Sequence, residues 1–201
     1  MEVHICDAIW YWPECPDLPP PGRFVLICVR TGSSRAEARS QVRTVLRQVL
    51  ASWSHPAPDD LPLKETSRGP AWEGRLLGDA LDVSLSYAAS EASIALSRGG
   101  LIGVDIMRLE AVPEAEAIAQ IYFDPADQAV LRQSTDPIRD FAVAWTQLEA
   151  RSKCLKQGLT EWSEASATQG QGCCTDSVIV EDRLALSVAT APQDFLCRRN
   201  A

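Results

Sequence analysis

The stretch from Asp136 to Gly158 constrains the fold more than any other part of the chain. Asp136-Pro137 is a helix start: an aspartate side chain accepts from the first unpaired amides, and proline is tolerated in the first turn, where its missing N–H is not needed. Ile138, Phe141, Trp145, Leu148, Ser152 and Leu155 then recur at helical spacing. The pattern predicts one long helix running to about Gln157, with this stripe on a core and Gly158 as the stop.

The segments before it read in turn. Five prolines between Pro13 and Pro21 forbid a regular helix near the N-terminus, which reads as an extended arm or strand followed by a loop. Phe24 to Val29 is a buried strand. Ser34 and Glu37 form a capping box, and Val42, Val45, Leu46, Val49, Leu50 and Trp53 mark the buried face of the helix that follows. Ser54 to Pro62 is a loop. Val83 to Tyr87 alternates with period two, Ser93 to Ser97 is its hairpin partner, and Gly99-Gly100 turns the chain into a third strand, Leu101 to Ile106, completing a meander. Pro113 to Phe123 reads as a helix, and Asp124-Pro125 starts another. After a polar loop at Gln169 to Gly172, Ser177 to Val180 and Leu184 to Val188 read as strands. The order is that of an α+β protein whose two halves, 1–100 and 101–201, loosely echo each other.

Composition narrows the partners. Across 201 residues, 46% are hydrophobic and 23% charged, enough for a sizeable core. The net charge of −8 disfavours nucleic-acid backbones and anionic membranes, which select clustered Lys and Arg. A local basic pocket for a phosphorylated small molecule remains compatible with it. The seven cysteines include no Cys-x-x-Cys spacing, so neither a disulfide framework nor a structural zinc site is expected, and free thiols fit a reducing compartment. The N-terminus lacks a signal-peptide pattern and no apolar run is long enough to span a bilayer, so the expected location is the cytoplasm.

Three side chains stand out. Glu149 and Lys153 are four apart and share a helix face. Such a pair is ordinarily an exposed ion pair, but Glu149 borders the apolar stripe, where a carboxylate can face a cleft. Asp105 follows Gly103-Val104 inside an apolar strand. It reads either as a strand-end cap or as a buried carboxylate that needs a cation, a metal or strong hydrogen bonds. His4 and His55 have no nucleophile or carboxylate at motif spacing. Trp10, Trp12, Trp53, Trp72 and Trp162 read as packing anchors. Arg35, Arg39, Arg43 and Arg47 descend one helix face and read as solvated.

Taken together, Gly103-Val104-Asp105-Ile106 and, some forty residues on, Trp145-Thr146-Gln147-Leu148-Glu149-Ala150-Arg151-Ser152-Lys153 resemble the signature of the 4′-phosphopantetheinyl transferase superfamily, in its large monomeric, surfactin-synthetase-activating class. Val83-Ser84-Leu85-Ser86-Tyr87 resembles the family's Ser-Leu-Ser-His strand, Tyr122 to Asp127 its Phe-x-Pro-x-Glu segment, Gly158-Leu159 its closing Gly-Leu, and Arg68-Gly69-Pro70 a form of its Gly-Lys-Pro element.

The resemblance implies a chain of two similar α+β halves acting as a monomer. It implies transfer of 4′-phosphopantetheine from coenzyme A to a serine of an acyl or peptidyl carrier protein, releasing adenosine 3′,5′-bisphosphate. It implies Mg2+ held by Asp105 and Glu149, with Glu149 also activating the serine and Lys153 neutralising the α-phosphate. Ser86, Tyr87 and Arg68 would lie at the 3′-phosphate of coenzyme A. Three positions depart from the pattern: Met107 replaces an acidic third ligand, Leu148 a lysine and Tyr87 a histidine. These losses leave a second expectation open, a weakened or inactive relative that binds a carrier or partner without catalysis.

Overall fold

The computed structural model describes residues 5–32, 34–54, 60–66, 69–73, 75–165 and 172–192. Arg68, His4 and His55 lie outside them. The protein is a mixed α+β structure. After a 3-10 turn at Ile5–Ala8 come β1 (Ile9–Tyr11), β2 (Phe24–Arg30), α1 (Arg35–Ser54), β3 (Leu63–Thr66), β4 (Gly69–Trp72), β5 (Arg75–Leu76), β6 (Asp79–Ala88), β7 (Glu91–Arg98) and β8 (Gly100–Arg108). Then follow α2 (Ala115–Tyr122), α3 (Pro125–Gln133), α4 (Pro137–Cys154), β9 (Cys174–Val180) and β10 (Leu184–Pro192).

The strands form a five-stranded sheet ordered β1-β2-β7-β6-β5, a three-stranded sheet ordered β8-β10-β9, and the β3-β4 hairpin. Alternation along each strand stacks them into layers. Val25, Ile27 and Val29 of β2, Leu81 and Val83 of β6, and Ile94 and Leu96 of β7 pack under the predicted face of α1, from Val42 to Trp53. The opposite faces of the two sheets meet each other: Leu26 and Ala95 pack on Ile102, Val104, Ile106, Leu184, Leu186 and Val188. The outer face of the second sheet, with Leu101, Ala189 and Ala191, carries Ala150 and Cys154 of α4.

Local signals act as read at the helix starts. The Glu37 amide donates to Ser34 Oγ at 3.2 Å, the Asp127 amide to Asp124 at 2.8 Å and the Arg139 amide to Asp136 at 3.3 Å. Four expectations change. The N-terminal arm begins with the 3-10 turn before the short β1, and Trp10 is exposed. The meander stops at β7, because β8 leaves it and pairs with β10.

The stripe of α4 divides. Phe141, Trp145 and Leu148 turn to α2 and α3, where they join Phe123 and Met107, while Ile138 is exposed. The face on the sheet is built of small side chains instead, Ala142, Thr146, Ala150 and Cys154, each essentially inaccessible. Lastly, α4 ends at Cys154, before Gly158. The Lys156 amide donates to the Lys153 carbonyl and the Gln157 amide to the Ser152 carbonyl, a Schellman closure in which Lys156 takes the left-handed position at φ 56°.

The small face lets α4 approach β8 to backbone contact. A Cβ on Gly103 would sit 1.9 Å from the Ala150 carbonyl oxygen and 2.4 Å from the Cys154 nitrogen. The obstacle is main chain on both sides, so no side chain can swing away. Gly103→Ala is expected to cost ~2 kcal/mol or more of folding stability; an unchanged denaturation midpoint would refute this account of the helix–strand contact.

Candidate active site

The seam between the two sheets is made of side chains. Along β6, Asp82, Ser84 and Ser86 point to the same side, and each accepts an amide of the neighbouring β8: Ile102 N–H at 2.8 Å, Val104 N–H at 3.1 Å and Ile106 N–H at 3.3 Å. Ser84 and Ser86 are buried and Asp82 is partly buried, because each takes over a backbone donor that no strand pairs. Ser86 then donates its own hydroxyl to Asp105 Oδ1 at 2.6 Å.

Asp105 is buried and lies on the face of β8 that meets α4. Lys153 reaches it from the last turn of that helix, donating to Asp105 Oδ1 at 2.7 Å and to the Val104 carbonyl at 3.1 Å. The buried carboxylate therefore has the cation it requires, and the strand-end cap reading falls. Glu149, one turn earlier on α4, is half-buried. Burial first, and the Asp105 charge second, push its carboxyl above the ordinary glutamate range, with Lys153 pulling the other way. Glu149, Lys153 and Asp105 thus form one electrostatic group across the α4–β8 contact.

Such a group can hold a divalent cation. Two carboxylates that disfavour each other's charge gain from a cation between them, and Mg2+ commonly binds through one or two carboxylates plus phosphate oxygens and water. Among the described residues no third carboxylate, histidine or cysteine completes a metal cluster. Met107, two residues on and on the same strand face, packs into the Phe123–Phe141–Trp145 aromatic group. Glu110 is exposed and bonded to Arg108.

The remaining sequence candidates divide. Ser86, which the resemblance sets at the 3′-phosphate, has a buried hydroxyl that donates to Asp105 and accepts from the Ile106 amide. Tyr87 lies on the other face of β6, packed toward α1 beside Arg43 and Arg39. Burial pushes its phenol up, so it stays protonated and can donate. Arg43 is gripped by Glu65, while Arg35 and Arg39 are exposed.

Two features escaped the sequence reading. Lys156 sends its ammonium to both oxygens of Asp82, at 2.8 and 2.7 Å. With Lys153, Thr66, Gly69 and Pro70 it lines a cavity of about 360 Å³. The left-handed backbone of Lys156 costs about 1–2 kcal/mol relative to a relaxed residue. A partly exposed pair such as this one, with side-chain exposures of 32% and 19%, returns only about 0.2–1 kcal/mol. The second feature is a buried hydroxyl group: Thr146 bonds Ser187 at 2.7 Å, Ser187 bonds Ser177 at 2.7 Å, and Gln147 bonds Ser177 at 2.9 Å. It ties α4 to β10 and β9.

The geometry can be set beside known proteins. Residues 101–183 match the 4′-phosphopantetheinyl transferase superfamily, a span that contains β8, α4, Asp105, Glu149 and Lys153. The 4′-phosphopantetheinyl transferase HetI of Nostoc sp. (strain PCC 7120 / SAG 25.82 / UTEX 2576) is 27% identical over 125 residues, which cover 61% of this chain and 53% of that protein. The chain thus spans about half the length of the curated relative it matches. Both comparisons place its similarity with 4′-phosphopantetheinyl transferases.

Proposed function

We propose that the protein transfers the 4′-phosphopantetheine group of coenzyme A to a serine hydroxyl of an acyl or peptidyl carrier protein, with Mg2+ at Asp105 and Glu149. The observation that carries the reading is the Asp105–Lys153–Glu149 group on the α4–β8 contact, inside the matched span. The two helix-on-sheet pairs are read as the halves 1–100 and 101–201 of the large, monomeric class, meeting at the Gly99–Gly100 turn.

In this reading the reaction is a displacement at a diphosphate phosphorus, which requires an aligned nucleophile and neutralised oxygens. The metal, when bound, neutralises diphosphate charge as a Lewis acid. Asp105, held by Ser86, keeps one carboxylate fixed for it. Lys153, aimed by Asp105 and the Val104 carbonyl, faces the α-phosphate. Glu149 has a raised proton affinity and accepts the serine proton, directly or through water. Arg68 stays assigned to the nucleotide end, whereas Tyr87 lies on the α1 face of β6, away from the cavity that Lys153 lines. The site keeps its Asp, Glu and Lys, and Met107 yields its place to water, as Mg2+ tolerates.

The deciding experiment is intact-mass analysis of apo carrier proteins incubated with this protein, coenzyme A and Mg2+. A phosphopantetheine mass gain that disappears with chelator is expected. Carrier binding without any mass gain would transfer the reading to a non-catalytic partner-binding protein.

Glu149→Gln removes a metal ligand and the proton acceptor together, and transfer is expected to fall by at least ~100-fold. Near-normal turnover would remove Glu149 from the mechanism. The same substitution is expected to act oppositely on stability. Because the folded state raises the Glu149 pKa, it binds that proton more tightly than the unfolded chain does. The associated stability is complete below the unfolded value, about 4.3, and is lost as pH rises through the folded one. Without divalent cation, Glu149→Gln should therefore raise the denaturation midpoint at pH 7 and leave it nearly unchanged near pH 4. A lower midpoint at pH 7 would contradict the burial argument.

A further inference from the structure

We propose that Lys156 is a phosphate-binding residue of the coenzyme A site and that it contacts the ribose 3′-phosphate, leaving the diphosphate to Lys153. The inference rests on the transferase reading above and adds a residue that none of the signature motifs contains.

Three observations carry it. First, Lys156 holds a left-handed backbone at φ 56° in a helix closure that glycine serves without strain. Strain retained at a cavity wall points to ligand contact. Second, its ammonium shares one cavity with that of Lys153, lined by Gly69 and Pro70. Third, the two lysines are anchored apart along the seam, Lys153 at Val104 and Asp105, Lys156 at Asp82 opposite Ile102. That offset is roughly 7–10 Å along the strands. Coenzyme A likewise carries its charge in two separate places, the diphosphate and the 3′-phosphate on the far side of the ribose.

Ser86 and Tyr87, which the family resemblance sets at the 3′-phosphate, leave room for this contact. Ser86 is committed to Asp105, and Tyr87 lies on the face of β6 turned to α1. When a phosphate dianion draws the ammonium away, Asp82 keeps the Ile102 amide as a partner, so the exchange does not orphan its carboxylate.

The test compares the unsubstituted protein with Lys156→Gly and Lys156→Arg in Mg2+, titrating coenzyme A and 3′-dephospho-coenzyme A by calorimetry and recording the melting temperature of each variant. Lys156→Gly keeps the left-handed closure. It is expected to bind coenzyme A about tenfold or more weakly, to bind the dephospho compound as the unsubstituted protein does, and to melt at the same temperature or higher. Lys156→Arg should recover part of the coenzyme A affinity. Unchanged coenzyme A affinity in Lys156→Gly, equal losses for both ligands, or a lower melting temperature with both affinities reduced would overturn the inference while leaving the transferase reading intact. No binding of either compound by the unsubstituted protein would overturn both.

Discussion

The rest of the site depends on the backbone contact between α4 and β8. Gly103 has no side chain, Ala150 has only a methyl, and the helix settles onto the strand until carbonyl and Cα meet. At that distance Lys153 reaches both a strand carbonyl and the next carboxylate. A helix resting on larger side chains would stand a few ångströms higher, and Lys153 and Glu149 would miss Asp105. The glycine of Gly-Val-Asp and the alanine of Glu-Ala are therefore two sides of one steric requirement. The charged residues next to them are placed by it.

The seam supplies the second condition. A buried carboxylate in an apolar strand is expensive unless its partners are fixed before the ligand arrives. Asp105 has a hydroxyl on one side and an ammonium on the other, and both bonds fall on Oδ1. The hydroxyl comes from Ser86, which is itself pinned by the Ile106 amide. Orientation thus passes from the backbone of β8, through a side chain of β6, back to the carboxylate of β8. Preorganisation of this kind is what a phosphate-transfer site needs most, because little else is asked of the protein there.

Much of this was legible in the sequence, and the misses have definite causes. All six residues read as the core face of α1 are buried, because a one-sided amphipathic helix announces itself by periodicity. Asp105 was legible as a carboxylate in need of a partner. The sheet-facing side of α4 was not, since Ala142, Thr146, Ala150 and Cys154 lack the bulk by which a buried face is recognised, and the larger residues beside them turned to other helices. Ser84 and Ser86 alternate with apolar residues, the pattern of a strand with one side in water. They are dry because amides of β8 have no other acceptor, a fact of tertiary structure that no local pattern carries. The short strands β3 to β5 went unread, and Gly158 drew attention from Lys156 because a left-handed lysine defies the residue preference used to find helix ends.

The hydroxyl group under α4 has a polarity fixed by its two ends. Thr146 donates to the carbonyl of Ala142, so it must receive from Ser187. Ser187 must then receive from Ser177, and Ser177 from the Gln147 amide, which can only give. The result is a one-way circuit that leaves the helix at Gln147, crosses β9 and β10, returns to the same helix at the adjacent Thr146 and ends on the Ala142 carbonyl one turn back. Each hydroxyl in it has one direction, and each bond polarises the next in the same sense. A carboxylate in place of the Gln147 amide would set an acceptor where the circuit needs its source, and every hydroxyl downstream would have to reverse against the fixed carbonyl at the other end.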